Sequence, residues 1–398
     1  MKINRFVTFF LIIILLNTTC SSKKETRRWY KGNLHTHSYW SDGDEFPEMI
    51  MDWYKSHGYH FVALSDHNIL AEGEKWKNIS TSIIREKGFK KYLEKYGEDW
   101  VVYKEDSSGI SVKLKTFEEY VPLFEEAEKF HILQGEEITT SFGKKPIHIN
   151  ASNIQHLIIP KDGANVTEVM QNNIDAVLEQ REKTGVPILP HINHPNFHYG
   201  ISAQDIIGLK GERFFEVYNG HPHVRNLGDS AHISTEEMWD VINLAYFKNN
   251  QPLIYGIATD DSHSYHQFGT EYSNAGRGWV MVAAKALQAD SLINAMERGE
   301  FYASTGVVLK DVDYSHHQLT IEVAPEPGIE YEIQFIGANN QENQANILKK
   351  ESGNIAEFTI TEEHQFVRAK VISTKLKENP NVEGEYEVAW TQPVRYIN

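Results

Sequence analysis

The sequence predicts an α/β protein: a (β/α) barrel of seven or eight strands, with a small antiparallel β-sandwich behind it. Three observations carry that prediction. Between Trp29 and Gly306, short apolar runs alternate with amphipathic segments of helical period, the pattern of a parallel sheet whose strands return through crossover helices. Several of those runs end in polar, chemically competent residues. Past Gly306 the helical period stops, and short alternating runs separated by Pro, Gly and Asn turns take over.

The chain opens with an address. Lys2 and Arg5 form a positive region, Phe6 to Leu16 an apolar one, and LNTTC follows with Cys20 at its end. That run is too short to cross a bilayer, which takes about 20 apolar residues. It resembles a bacterial lipoprotein signal in which Cys20 becomes the lipidated N-terminus, with Asn17 where leucine is usual. The expectation is an exported protein, periplasmic or at the cell surface, attached to a membrane through that lipid. Cys20 is the only cysteine, so the mature domain has no thiolate to offer a metal.

From Trp29 onward, KGNLHTH, HFVALSDHN, FHILQGEEI, VPILPHINHPN, RFFEVYNGH, PLIYGIATDDSH and GWVMVAA each read as a short buried strand. Between them, PEMIMDWYKSHG predicts a helix with Pro47 in its first turn and Gly58 as its stop. VTEVMQNNIDAVLEQREKTG predicts a longer one, with Met170, Ile174, Val177 and Leu178 on one stripe and Gly185 past its end. SLINAMERG predicts a third. The stretch from Asn68 to Phe130 is longer than a barrel connection needs and carries two helical patterns, so it reads as a helical insertion that could cap the mouth. The expected boundaries are 1–28 for the signal and tether, 29–308 for the barrel with its insertion over 69–130, and 309–398 for the sandwich. Nothing in the sandwich resembles a catalytic constellation, so its expected role is support.

Charge narrows the function. A net charge of −16 over 398 residues disfavours a surface built to hold nucleic acid. Nineteen histidines, many of them in short clusters, point to metal. His35 and His37 alternate on a predicted strand and therefore face the same side. Asp42 follows in a Ser-Asp-Gly turn that can bring its carboxylate back to them. Strand ends supply the rest: Asp66, His67 and Asn68; Glu136 and Glu137; His194; Asp260, Asp261 and His263. In a barrel these ends share one mouth, and burying such a ring is costly unless metals pair with it.

The ordered set HTHSYWSDG, LSDHN, GEE, PIHIN, NHPN and DDSH closely resembles the PHP family of metal-dependent hydrolases, named for polymerase and histidinol phosphatase domains. Within it, the chain looks most like the standalone branch that includes carbamate hydrolases related to carbaryl hydrolase. The resemblance spans about Trp29 to Gly306. It implies a distorted seven-stranded barrel with ligands at His35, His37, Asp42, His67, Glu137, His148, His194, Asp261 and His263. Glu136 beside Glu137 and His191 before His194 are alternative ligands or supporting partners. Such a nitrogen and oxygen set suits two or three divalent ions of zinc, manganese or iron.

Metal coordination makes hydroxide available near neutral pH, and a hydroxide bridging two metals would attack phosphorus or an activated carbonyl. Asp66 is the candidate to orient or deprotonate the attacking water, and Arg277 in GRGW and His221 in YNGHPH are the candidates to grip an anionic substrate. Three readings follow. The first is a phosphoesterase acting on a small-molecule monoester or diester. The second is a hydrolase of a carbamate, amide or other carbonyl substrate. The third is a non-catalytic, metal-containing lipoprotein that binds glycan.

Overall fold

The computed structural model describes residues 27–396, so Cys20 and the apolar run before it lie outside the described residues. The N-terminal part begins with β1 (Arg28–Asn33), α1 (Pro47–Ser56) and β2 (Phe61–Leu64). The insertion holds β3 (Trp76–Asn78), α2 (Ile83–Tyr96), β4 (Tyr103–Asp106), β5 (Gly109–Lys113) and α3 (Phe117–Phe124). Then follow β6 (His131–Phe142), β7 (Lys145–Ser152), α4 (Val166–Thr184), β8 (Leu189–Ile192), α5 (Ala203–Ile207), β9 (Phe214–Asn219), α6 (Thr235–Lys248), β10 (Tyr255–Thr259), β11 (Trp279–Ala284), α7 (Ala289–Glu297) and β12 (Phe301–Ser304). The C-terminal part comprises β13 (Leu309–Ser315), β14 (Gln318–Val323), β15 (Tyr331–Asn339), β16 (Asn346–Ser352), β17 (Ile355–Thr359), β18 (His364–Leu376) and β19 (Tyr386–Thr391).

The protein is mixed α/β, with one large sheet running β10-β9-β8-β7-β6-β2-β1-β11-β12-β19-β18-β15-β16. The pairs β1 with β2, β2 with β6, β8 with β9 and β9 with β10 are parallel, as the alternation of strand and helix requires. Two strands depart from that expectation. The segment holding PIHIN forms β7, which turns back on β6 through Gly143 at φ +62 and pairs antiparallel with both β6 and β8. GWVMVAA forms β11, but it lies antiparallel to β1 on the side away from β2. At the other end of this row the chain after β1 meets the chain after β10. Thr36 bridges Ser262, the His37 N–H donates to the Ser262 carbonyl (2.9 Å), and the Asp261 N–H donates to the His35 carbonyl (3.0 Å).

The helices form where their ends are chemically defined. Pro47 opens α1, where its missing N–H is no loss, and Gly58 at φ +75 lets the chain leave. The Asn165 side chain caps α4 by accepting the Glu168 N–H (2.9 Å), and Gly185 adopts the left-handed conformation just past its end. Helix α6, which was not among the helices expected from the sequence, has a full capping box between Ser234 and Glu237. Val169, Met170 and Ile174 of α4 and Met238, Trp239 and Ile242 of α6 pack on Ile147, Ile149, Ile192 and Phe215 of the sheet. Each such side chain contributes about 1.5–3 kcal/mol through burial.

The insertion is not purely helical, since β3, β5 and β4 make a small antiparallel sheet beside α2 and α3. Phe89, Tyr92, Val112, Leu114 and Tyr120 share a core with Tyr39, Trp40, Phe46, Ile50 and Tyr54 of the β1–α1 region. It thereby braces the loop that carries the first candidate ligands: the Trp40 Nε1–H donates to the Lys115 carbonyl (3.0 Å), and Lys77 Nζ donates to the Ser41 carbonyl (2.9 Å).

In the C-terminal part, the sheet β13-β14-β17 packs on β12, β15, β18 and β19, through Leu319, Ile321, Val323, Ile333, Phe335, Val367, Ala369 and Val371. The large sheet crosses residues 304–309 without a break in pairing, because β12 pairs with β19. Buried Arg368 of β18 donates to both carboxylate oxygens of Asp240 on α6 (2.7 and 2.8 Å). The Gln392 amide also closes two hydrogen bonds with the Gly256 backbone of β10 (2.8 and 2.9 Å). The two parts are therefore joined by polar groups satisfied only when docked.

Candidate metal centre

The first ligand motif lies just past β1, in extended chain that keeps the side-chain alternation, and the His35 and His37 rings sit 5.1 Å apart. The chain then folds tightly back. A Cβ on Gly43 would come within 2.6 Å of the His37 carbonyl, so the Ser-Asp-Gly turn needs its glycine for this approach. Asp42 is thereby carried to the imidazoles, 3.3 Å from His263 Nε2, 3.6 Å from His67 Nε2 and 3.9 Å from His37 Nδ1. Its side chain is 60% exposed, so it stands at the open side of the cluster.

Glu137 is the hub. Its Oε1 lies 2.9 Å from His148 Nδ1, 3.3 Å from His194 Nε2 and 3.4 Å from His35 Nε2. Its Oε2 lies 2.7 Å from His67 Nδ1 and 3.3 Å from His37 Nε2. Asp261 mirrors it from the chain just past β10, with Oδ1 3.3 Å from both His35 Nε2 and His37 Nε2 and 3.5 Å from His263 Nδ1. All nine residues expected as ligands thus fall into overlapping groups whose donor atoms lie within 4.8 Å of one another. His148 reaches them because β7 runs antiparallel and sets it opposite Thr139 on the extended arm of β6.

Whether these groups fit a cation is answered by their partners. His35 Nε2 and His37 Nε2 are buried and make no hydrogen bond, although their residues are essentially unexposed. Such atoms are destabilising unless something satisfies them, and divalent cations suit a set of imidazole nitrogens and carboxylate oxygens. Burial pushes the His37 imidazole down to about 3, helped by His263 and His67 beside it, so it is a neutral donor. Burial also opposes charge on Glu137, but His67, His148 and His35 outweigh it and hold the carboxyl well below the usual carboxylate range. Burial works against protonating His67 too, yet Glu137 lifts it to about 9. A proton there competes for an atom a metal would take, so occupancy should rise with pH.

Around this cluster stand residues that the motifs did not reveal. Glu216, within the apolar strand β9, holds His35 Nδ1 (2.7 Å) and His191 Nε2 (3.3 Å) and accepts the His194 backbone N–H (2.7 Å). Its signal in the sequence was a lone carboxylate inside FFEVYN. Asn219 links Glu216 to Asp261 (2.8 and 3.2 Å). Such partners set which imidazole nitrogen faces a metal. His191 therefore sits behind His35, and His194 is the imidazole that meets Glu137. Glu136 points the other way, accepting the Ile158 N–H (2.9 Å), and burial raises it to about 7.

Two expected roles change. Asp66 does not face the cluster: Oδ1 accepts the backbone N–H groups of Ser38 (2.8 Å) and Ser41 (3.0 Å), and Oδ2 accepts the Ser38 hydroxyl (2.7 Å). It organises the loop between the first histidines and Asp42. Arg277 is fully buried rather than at the rim. Its guanidinium donates to the carbonyls of Gly220 (2.7 Å), Tyr272 (2.6 Å) and Gly269 (2.7 Å), so it ties the loop after β10 to the loop after β9. His221 does lie at the mouth, its ring 5.6 Å from that of His263.

No family model matches the chain, and no curated protein matches it. Among solved structures it is similar to a two-domain protein from Bacteroides vulgatus containing a predicted PHP-like metal-dependent phosphoesterase. The identity is 14%, covering 92% of this chain and 96% of that one, with a TM-score of 0.40. It is also similar to a candidate metal-dependent phosphoesterase from Bifidobacterium adolescentis, at 12% identity, covering 59% and 88% of the two chains, with a TM-score of 0.28. An amidohydrolase from Chromobacterium violaceum, with bound sulfate and no metal, is similar at 13% identity over 61% and 90%, also with a TM-score of 0.28.

Proposed function

We propose that this chain is a PHP-type, divalent-metal-dependent hydrolase of small phosphate esters, with β1, β2, β6, β7, β8, β9 and β10 as its seven-stranded barrel. The observation that carries the reading is the convergence of two buried imidazole nitrogens without hydrogen bonds, His35 Nε2 and His37 Nε2, on the carboxylates of Glu137 and Asp261 inside a shell of further imidazoles. His35, His37, Asp42, His67, Glu137, His148, His194, Asp261 and His263 would hold two or three ions of zinc, manganese or iron. When bound, the ions supply Lewis acidity and lower the pKa of coordinated water from about 15.7 toward about 7.

The chain's own residues then set direction. Glu137 and Asp261 would supply the negative charge to hold cations deep in the site, and exposed Asp42 would mark the face from which an ester arrives. Hydrolysis joins a water oxygen to phosphorus, breaks the bond to the ester oxygen, and leaves that oxygen in need of a proton. His221 accepts the His223 backbone N–H at Nδ1 (3.1 Å), so in its neutral form Nε2 carries the ring proton. Burial pushes this imidazole down to about 4, so it is neutral near pH 7. It is the candidate to donate a hydrogen bond to the leaving oxygen.

The burial of Arg277 favours a second reading, hydrolysis of a neutral carbamate or amide, because it removes the arginine expected to grip an anion. Turnover of p-nitrophenyl phosphate, bis-p-nitrophenyl phosphate and a p-nitrophenyl carbamate, with metal content read by elemental analysis, separates the two. The expected result is hydrolysis of a phosphate ester that stops on chelation and returns with added manganese or zinc. Turnover of the carbamate alone would replace the first reading by the second. Failure of all three substrates on fully metallated protein would leave the non-catalytic reading.

Export remains part of the proposal, supported by the apolar run and Cys20. Labelling of cells with a palmitate analogue should mark the protein and be lost in Cys20→Ser. Persistent labelling and membrane partitioning of that variant would remove the lipoprotein assignment.

A further inference from the structure

The loops after β8 and β9 are zipped together at the mouth. Phe197 and Val224 form an antiparallel bridge, and the Asn196 amide donates to the carbonyls of Arg225 (2.9 Å) and Ile233 (3.0 Å). His194, His198 and Tyr199 in this turn all hold positive φ, at 21°, 49° and 52°. For residues with side chains each such conformation costs about 1–3 kcal/mol, and it persists where surroundings over-determine it, often at ligand clamps.

What the strained turn delivers is one phenyl ring among imidazoles. The Phe197 ring centroid lies 5.0 Å from that of His194 and 6.1 Å from that of His148, both in the candidate metal cluster. On its other sides it lies 5.6 Å from His221, 4.5 Å from His198 and 6.5 Å from His223, the last nearly parallel at 24°. Phe197 is partly exposed, while His198 and His223 are exposed. An aromatic ring partly open to solvent beside the candidate metal cluster, and outside the buried core clusters, offers part of an apolar face for stacking. The imidazole edges around it offer both N–H donors and nitrogen acceptors.

We propose that Phe197, flanked by His198 and His223, is a stacking shelf for a planar aromatic or heterocyclic group carried by the ester's leaving side. The inference rests on the phosphate-ester reading and adds the substrate class. An aliphatic ester would leave the shelf unused, whereas a planar group stacked there sits next to His194 and His148 with its ester bond directed into the cluster.

The test is calorimetric binding of phenylphosphonate and methylphosphonate to manganese-loaded protein, which share the anion and differ in the ring. Phenylphosphonate should bind roughly tenfold more tightly, the scale of one aromatic stacking contact. Phe197→Leu should bring the ratio of the two affinities close to one, and Phe197→Tyr, which keeps the ring, should retain it. Equal binding of both phosphonates to the wild-type protein would overturn the shelf while leaving the phosphate reading intact. An equal loss for both ligands in Phe197→Leu would also overturn it, since Phe197 would then only hold His194 and His148 in place. Binding of neither phosphonate would defeat the phosphate reading, and the shelf with it.

Discussion

Glu137→Gln should lose bound metal and at least about a thousandfold in kcat/KM, while its thermal unfolding in the presence of chelator stays close to that of the wild type. The reason is geometric. Both Glu137 oxygens are committed, Oε1 to His35, His148 and His194 and Oε2 to His37 and His67, so no other residue touches as many candidate ligands. The amide keeps the shape but removes the charge and turns one acceptor into a donor facing imidazole nitrogens. Losing several kcal/mol of charge stabilisation corresponds to about three powers of ten in rate. Glu136→Gln is the control, because that carboxylate faces the Ile158 backbone. Metal content by elemental analysis is the deciding measurement: unchanged stoichiometry in Glu137→Gln, or an equal loss in Glu136→Gln, would take Glu137 out of the centre of the site.

The second large effect is expected at Arg277, through stability and site geometry together. Arg277→Met strips donors from the carbonyls of Gly220, Tyr272 and Gly269 and from the side chain of Asn379. An unsatisfied buried acceptor costs about 1–3 kcal/mol, so the summed loss should be about 3 kcal/mol or more in urea unfolding. Gly220 adjoins His221, and the loop from 264 to 276 supports His263, whose backbone N–H donates to the Ser273 carbonyl (2.9 Å). Activity should therefore fall by the same factor for a phosphate ester and for a neutral carbamate, if both are turned over. A loss confined to the phosphate ester, with stability unchanged, would restore Arg277 as an anion-binding group.

These two residues show where the sequence was legible and where it stopped. Most of the candidate ligands stood out because ligand chemistry is local: a His-x-His pair, an Asp in a tight Ser-Asp-Gly turn, and histidines and carboxylates at strand ends declare themselves within a few residues, whereas His148 and the choice of nine were named only by the family resemblance. The strands were readable for the same reason, as apolar runs bounded by polar turns, and so were α1, α4 and α7. The capping box that starts α6 was also in plain view, and Met238, Trp239, Ile242 and Tyr246 follow it at helical spacing, so this helix was legible in the sequence although it was not among those expected. The β7 hairpin was missed because PIHIN reads as a ligand motif, and nothing local says which way a strand runs.

By itself, then, the sequence determined the class of fold, the rise of an antiparallel C-terminal region, and the residue types that gather at one mouth. Only the tertiary structure decided their directions. Adjacent residues on a strand face opposite sides, so register alone turns Glu137 inward and Glu136 toward Ile158. Asp66 and Arg277 look alike in sequence to catalytic charges, but their partners come from Ser38 and Ser41 in one case and from Gly220, Gly269 and Tyr272 in the other. Glu216 is hidden in an apolar strand until His35 and His191 close on it. A short motif specifies which atoms are available for binding, whereas the task of a charged group is fixed by the hydrogen-bond partners that surround it, and those arrive from distant parts of the chain only when it folds.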